Sequence, residues 1–466
     1  MGSEWRVVKY TLGDLVELSQ GLAINAKTKH LLVDKGLPLL RITDLINNSE
    51  VQFVNEIEVP VKCIARRADI IYTRTGQVGL VFKGKVGVVH NNCFKVIPNE
   101  RLLDAEYLFW FLSQKSIQLY ANGIAAGSVQ KDLNHSAFKS ISIDLPPLWH
   151  QKRVGPVLLS IDNKIELNRQ TNQTLEQMAQ ALFKSWFVDF DPVIDNALAA
   201  GNPIPEELQA RVQRRQQQLA KPDHQPLPDD VRQLFPSEFE ETEELGWVPK
   251  GWEAGTLGSI ASVLSGFAFK SKDFVEKGEA VIKIKNINSD RTVDITDVNR
   301  VSAQVASSAE RFLLTDGDIV MAMTGATVGK FGIIVTEENE AYFLNQRVCK
   351  FSSKAEGGSV FLYSALNKPG VEEGIVDSAQ GSAQPNISAS AILSTPMVIP
   401  SKELIALFSR QMESSYIRRI TLKKEGYKLA KLRDTLLPKL ISGELRLPES
   451  MLDSETEPSV AETAYE

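Results

Sequence analysis

The sequence predicts an α+β fold in which two copies of one globular domain are joined by two long antiparallel helices forming a coiled coil. Three observations carry that expectation. Thr11-Leu12-Gly13 recurs as Thr256-Leu257-Gly258. Asp69-Ile70-Ile71, Thr75-Gly76 and Val78-Gly79 recur as Asp318-Ile319-Val320, Thr324-Gly325 and Val328-Gly329, with one extra residue in the second loop. From Tyr107 the copies keep a constant offset of 254, with 10 identities over the 40 positions 107–146. A repeat that holds its register through Gly127-Ser128 and Pro146, matched by Gly381-Ser382 and Pro400, implies one fold used twice.

Taken in order, residues 1–148 form the first domain. Short β-rich runs such as Ala68-Asp69-Ile70-Ile71-Tyr72 alternate with glycine turns, and one helical stretch lies near Tyr107–Leu112. Residues 149–188 form a long helix. Its seam, Ile161, Ile165, Asn168, Asn172, Leu175, Ala179, Leu182 and Trp186, alternates spacings of four and three, as a coiled coil requires. Asn168 and Asn172 are polar seam residues of the kind that fix register. Residues 189–250 hold eight prolines and a closing acidic cluster, Glu238 to Glu244, around a helical piece near Glu206–Leu219; they are expected to be a connector, partly ordered at most. Residues 251–401 repeat the first domain, with Gly317-Asp318-Ile319-Val320-Met321 as a strand and Lys283 and Lys285 alternating in another. Residues 402–447 form the second long helix, with Ser415, Arg419, Leu422, Gly426, Leu429, Arg433, Leu436 and Leu440 on its seam and Leu432 and Leu437 widening it. At about 35 residues each, the helices would be roughly 50 Å long. The acidic tail 448–466 has no periodic apolar residues and is expected to be disordered.

The chain's 466 residues carry 52 Lys+Arg against 58 Asp+Glu, a formal charge of −6. The charge is unevenly placed: residues 1–188 carry +5, 189–250 carry −7, 251–447 carry +2 and the tail −6. Both repeated blocks are thus mildly basic, which permits nucleic-acid binding without arguing for it. No apolar run approaches the roughly 20 residues that span a bilayer, and no signal peptide is apparent. Cys63, Cys93 and Cys349 are far apart and form no CxxC pair, which excludes a disulfide scaffold and a cysteine zinc site and fits a reducing cytoplasm.

Catalytic motifs are lacking. Gly325-Ala326-Thr327-Val328-Gly329-Lys330-Phe331 has three residues between its glycines where a P-loop has four, and Phe331 stands where a Ser or Thr must reach Mg²⁺. Phe190-Asp191-Pro192-Val193 lacks the second proline and the aromatic of an amino-methyltransferase motif and reads as a helix stop. The five histidines have no ligand spacing. A long, organised chain without a catalytic site points to recognition or scaffolding.

Leu182-Phe183-Lys184-Ser185-Trp186-Phe187-Val188-Asp189-Phe190-Asp191-Pro192 and Leu436-Leu437-Pro438-Lys439-Leu440-Ile441-Ser442-Gly443-Glu444-Leu445 stand at the ends of the two helices. With Gly381-Ser382-Ala383-Gln384-Pro385-Asn386-Ile387 and Leu145-Pro146-Pro147-Leu148 ahead of Gln151, they resemble the DNA-specificity subunit of type I restriction-modification enzymes over about residues 5–447. The resemblance implies two target-recognition domains held apart by the helices, each reading one half of an asymmetric, split target in double-stranded DNA. It implies docking of two methyltransferase subunits and, through them, of restriction subunits. This chain would hold no cofactor; S-adenosylmethionine, ATP and Mg belong to the partners, and the complex is cytoplasmic. The first copy departs from the second with Lys131-Asp132 in place of Pro385-Asn386.

Base edges are read by polar side chains on loops, while Lys and Arg on phosphates position the complex. The candidates are Arg74, Thr75, Gln77, Ser128, Gln130 and Lys131 in the first domain. In the second they are Thr324, Thr327, Lys330, Ser382, Gln384 and Asn386. Trp186, Phe187 and Leu440, at helix ends, are expected to be buried against the opposite helix or a methyltransferase subunit. Three other readings stay open: a recognition subunit of a methylation-only or other phage-defence complex, a stand-alone methyltransferase or nuclease, and a coiled-coil adaptor.

Overall fold

The computed structural model describes residues 6–127, 130–223, 225–377 and 386–447; the tail 448–466 lies outside them. The chain divides into two compact units, Met1–Ile165 with Lys428–Glu466, and Glu166–Tyr427.

In the first unit a four-stranded sheet runs in the order Val16–Gln20, Cys93–Pro98, Ile70–Thr73, Val81–Phe82. A five-stranded sheet has the order Leu32–Val33, Phe53–Val54, Leu37–Leu40, Gly87–Val89, Ile64–Ala65, and Val8–Thr11 pairs with Ser142–Leu145. Ile70, Ile71, Tyr72 and Thr73 are all buried, so this strand reads as a continuous apolar run covered on both faces. Helix Ala105–Ser113 starts where the Asp104 carboxylate accepts from the Tyr107 N–H, and its buried Tyr107, Leu108, Phe111 and Leu112 join the core with Phe94 and Phe138.

The second unit repeats this strand order. Its four-stranded sheet is Ala261–Ser265, Val348–Ser353, Ile319–Ala322, Phe331–Ile333. Its five-stranded sheet is Phe274–Val275, Asn299–Val301, Glu279–Ile282, Tyr342–Leu344, Leu313–Leu314. Even local details recur. Thr11 and Thr256 open the helices Leu12–Leu15 and Leu257–Ile260 with the same capping geometry. Lys95 pairs with Asp69 at 3.2 Å in one unit, as Lys350 pairs with Asp318 at 3.0 Å in the other.

The long helices are Leu148–Phe187 and Lys402–Ile441. In the first unit Asp162 pairs with Arg433 at 2.6 Å, and His150 Nε2 lies 3.3 Å from the Leu440 carbonyl. In the second unit Asn168 donates to Glu425 at 3.0 Å, Glu176 pairs with Arg419, and Phe183 meets Phe408. Rising numbers on one helix meet falling numbers on the other, so the segments run antiparallel in each unit. Seam residues are buried or half-buried throughout, and Asn168 is fully covered. Leu432 departs from the expected widening of the seam: it is exposed, while Leu437 is buried. Gly155 lies so close to Glu106 that an added Cβ would meet the Glu106 Cβ at 2.6 Å, which explains a glycine inside the first helix.

The connector 189–250 is more ordered than its composition suggests. Phe190, in a left-handed conformation, ends the first long helix and starts another, Asp191–Ala200, with Pro192 in its first turn. The segment is therefore a stop and a restart. Phe190, Val193, Ile194 and Ala197 form a buried stripe, and Asn196 donates to the Arg232 and Phe235 carbonyls. Helix Gln209–Leu219 is tied back by the Arg215–Asp195 ion pair at 2.6 Å, and strands Phe239–Thr242 and Gly246–Pro249 close a hairpin.

Candidate nucleic-acid interface

In the first unit the buried strand Ile70–Thr73 delivers Arg74 to the surface. The Arg74 N–H donates to the Asn92 carbonyl at 2.8 Å, and its carbonyl accepts from Leu133 at 2.8 Å. The guanidinium makes two bonds to the Asp132 carboxylate, 3.0 and 2.7 Å, and a third to Gln20 Oε1 at 3.1 Å. Thr75 Oγ1 donates to the same carboxylate at 3.1 Å. These bonds, Arg74 foremost, hold the Asp132 carboxyl below the usual carboxylate range. His135 Nε2 lies 2.9 Å from Gln20 Oε1; burial first, then the Arg74 and Lys139 charges, lowers its basicity.

The sequence-derived candidates therefore separate. Arg74 and Thr75 are both engaged with the Asp132 carboxylate. Gln77 is exposed, and its carbonyl accepts from the Thr73 hydroxyl at 2.5 Å, closing the turn that presents it. Gln130 is exposed, and Lys131 Nζ donates to the Asn122 carbonyl at 2.7 Å. Ser128 lies outside the described residues, as do Ser382 and Gln384.

In the second unit Thr324 and Asn386 form the same antiparallel bridge as Thr75 and Asp132. The Ile387 N–H donates to Met323 at 2.9 Å, and the Met323 N–H donates to Arg347 at 2.9 Å. Met323 thus stands where Arg74 does, Asn386 where Asp132 does, and Arg347 where Asn92 does. Ser265, the counterpart of Gln20, places its hydroxyl 3.7 Å from the Met323 sulfur. The Thr324 hydroxyl is buried and has no hydrogen-bond partner among the described residues. Gly325–Thr327 is a single 3-10 turn leading to strand Phe331–Ile333, which is not how a phosphate-binding loop continues into a helix. Thr327 Oγ1 donates weakly to the Ile284 carbonyl at 3.4 Å, and Lys330 is half-buried just after the turn.

Lys283 and Lys285 do not alternate in a strand. The strand stops at Ile282, and Ile284–Asn286 is a 3-10 turn held by the Asn286 side chain, which accepts from the Lys283 N–H and donates to the Asp294 and Asp297 carbonyls. Lys285 then pairs with Asp297 at 2.9 Å. Gln20, Asp132 and Arg347 are members of these loop faces that sequence reasoning missed. Matching the copies marks Asp132 only as a departure from Asn386 and does not show its pairing with Arg74.

Trp186, Phe187 and Leu440, expected to be buried against the opposite helix or a methyltransferase subunit, are buried within this chain. Trp186 and Phe187 belong to the core of the second unit, against Phe408 of the opposite helix and against Phe235, Phe361 and Trp252. Leu440 is fully buried with Leu437 and Ile441 in the core of the first unit. None presents a side-chain surface to another protein. Among the described residues no cluster of His, Cys, Asp or Glu could hold a metal ion, and no helix is long and apolar enough to cross a membrane.

Comparison with known proteins follows the same two-part division. The family described as "Type I restriction modification DNA specificity domain" matches residues 3–177 and 249–411. The chain is 28% identical over 479 aligned positions to the type I restriction enzyme HindI specificity subunit of Haemophilus influenzae, covering 95% of this chain and 100% of that protein. It is 24% identical to the MjaIX specificity subunit of Methanocaldococcus jannaschii, covering 96% of this chain and 94% of that protein. Its fold is similar to the crystal structure of a type I restriction-modification S subunit from M. genitalium, with a TM-score of 0.53 at 15% identity over 94% of this chain and 97% of that one. Since the family match spans both repeats and well over half of the sequence, the chain belongs to the type I restriction-modification DNA-specificity family.

Proposed function

We propose that this chain is the recognition subunit of a cytoplasmic type I restriction-modification complex, in which each repeated domain reads one half of an asymmetric, bipartite DNA target. The domains are taken as 1–148 and 251–401, with spacer helices 149–188 and 402–447. The observation that carries the reading is the pair of loop faces. One backbone scaffold occurs twice, with the same bridge and the same flanking hydrogen bonds, yet the side chains at equivalent positions differ in charge and shape. A scaffold that is copied while its exposed side chains diverge suits the reading of two unlike half-sites.

Within that reading Gln77, Gln130 and Lys131 contact DNA from the first domain, and Thr327, Lys330 and Asn386 from the second. Ser128, Ser382 and Gln384 belong to the same contact set by their place in the repeat. Arg74, Thr75 and Thr324 shape the loops. The chain performs no chemistry. Two methyltransferase subunits, using S-adenosylmethionine, dock on the helices and in turn recruit restriction subunits that use ATP and Mg. Exposed apolar side chains on the helices support docking there: Leu167 and Met178 are 55% and 58% exposed. Eleven residues apart, they lie about three turns from one another on one side of the helix.

The test is to exchange residues 251–401 for the equivalent segment of a relative and map the methylated bases. One half of the recognition sequence should change and the other persist; a change in both halves together would overturn modular reading.

A further inference from the structure

Equivalent positions on the two loop faces differ in how their charges are compensated. In the first unit Arg41 follows strand Leu37–Leu40 and caps a short helix, and its guanidinium is bonded to Asp44 at 2.6 and 3.1 Å. Arg74 is bonded to Asp132 in the same two-pronged way. Arg41 and Arg74 are thus each neutralised by a partner that also fixes its direction, whereas Lys131 of the same face donates only to the Asn122 carbonyl. In the second unit Lys283 occupies the place of Arg41, and the third residue beyond it is Asn286 instead of an aspartate. Asn386 likewise replaces Asp132, and Met323 replaces Arg74. Both carboxylates have become amides.

The cation lost at Met323 reappears elsewhere on the second face, because exposed Arg347 stands where the first has Asn92. Among the described residues no carboxylate pairs with Lys283 or Arg347, and the neighbouring segment 378–385 contains none in its sequence. The ammonium of Lys283 lies 4.5 Å from the centre of the Phe274 ring. Burial, then Lys285 and Arg347 nearby, lowers its affinity for a proton, as expected of cations gathered without counter-ions. The lysines of the adjoining loops, Lys27 and Lys29 in one unit and Lys270 and Lys272 in the other, occur in both and do not distinguish the faces.

We propose that the two domains divide the work of binding: Lys283 and Arg347 of the second domain hold DNA phosphates and release counter-ions, whereas the locked Arg41 and Arg74 of the first domain do not. This rests on the proposed recognition function and adds to it an unequal distribution of salt-dependent affinity. Each phosphate neutralised lowers the slope of log K against log salt by about 0.9 on duplex DNA.

The experiment uses the full chain assembled with its methyltransferase subunits and a fluorescent duplex carrying the mapped target, titrated at several KCl concentrations. Lys283→Gln with Arg347→Gln should reduce the magnitude of the slope by about two, and Arg347→Gln alone by about one. The single variant alters an exposed side chain, so it remains informative if the double variant fails to fold. Arg74→Met with Asp132→Asn, which gives the first domain the second domain's own pair, should leave the slope unchanged. An unchanged slope for the second-domain variants, or an equal loss from the first-domain variant, would overturn the division of labour. A wild-type complex with no preference for the mapped target over a scrambled duplex would instead overturn the recognition function itself.

Discussion

In the second unit, Phe183, Trp186 and Phe187 of the first long helix enter a cluster with Phe361, Phe408 and Trp252, ring against ring at 5.1 to 6.3 Å. Beside it Arg419 pairs with Glu176, lies over the Tyr363 ring, and reaches the Tyr363 hydroxyl; Asn367 also donates to Glu176 at 2.8 Å. In the first unit the corresponding grip is made by Leu437, Leu440 and Ile441, by the Asp162–Arg433 ion pair at 2.6 Å, and by a hydrogen bond from the buried Tyr107 hydroxyl to the Ile441 carbonyl at 2.6 Å. A repeated fold is therefore anchored to its helices by unlike means. Large aromatic side chains bury more apolar area per residue than aliphatic ones, and the Glu176–Arg419 pair is less exposed than the Asp162–Arg433 pair of the first unit. The second unit should be the harder of the two to loosen.

The largest test of that comparison is Trp186→Ala. Removing a fully buried indole should cost about 3–5 kcal/mol, read as a lowered denaturation midpoint of the second unit. Leu440→Ala removes fewer atoms and should cost about 2–4 kcal/mol in the first unit. An equal or larger loss from the leucine would reverse the ranking. Next comes Arg419→Met, which strands Glu176 at a site with under a fifth of its side chain exposed. The cost is about 2–4 kcal/mol, and Glu176→Gln in the same chain should return part of it by removing the orphaned charge. If the second substitution restored nothing, the network would be a matter of packing alone.

The repeat and the helices were legible because they depend on local patterns: a shared register over 107–146 and a seam spaced by fours and threes. The connector was not, because its prolines and glutamates outweigh the few residues that bury it. Phe190, Val193, Ile194 and Ala197 are nevertheless spaced as one face of a helix, so the signal was present in a segment whose composition argued for a linker. The loop faces were half legible. Glycines and polar residues marked the turns, but the pairing of Arg74 with Asp132 joins residues 58 positions apart, and nothing in local spacing announces it. The ends of the long helices were legible as buried, but not which surface covers them. Aromatic and aliphatic residues at a helix end suggest a partner, and here the partners are Phe361, Phe408 and Trp252 of the same chain for Trp186 and Phe187, and the first unit's core for Leu440.

A smaller effect is expected from Tyr107→Phe, which keeps the ring in the core and removes one buried hydrogen bond. The Ile441 carbonyl would lose a donor, at about 1–2 kcal/mol. Hydrogen exchange at the end of the second long helix, residues 437–441, should report it as faster opening, with little change at residues 402–412. Uniform acceleration along that helix would mean that the bond stabilises the whole unit rather than its anchor.

The smallest expected effect concerns pH and sets the two units apart by composition. Four of the five histidines, His30, His90, His135 and His150, lie in the first unit, while the second has only His224. Burial is the leading cause that lowers the pKa of His90, His135 and His150 from the ordinary value of 6.5. A depressed histidine stays neutral in the folded chain after its unfolded counterpart has taken up a proton. The stability it contributes is thus present above pH 6.5 and declines as the pH falls from 6.5 toward the lowered folded value. In the second unit burial raises the Asp191 pKa above 3.8, and a raised carboxylate adds stability, rather than losing it, as the pH falls through that value. Acidification from neutrality to about pH 5.5, well above the ordinary carboxylate range, should therefore loosen the first unit before the second. Hydrogen exchange in strand Cys93–Pro98 should rise relative to its counterpart Val348–Ser353, and His150→Gln should narrow the difference. Equal acceleration of the two strands in that interval would show that the histidines of the first unit do not govern its response to acid.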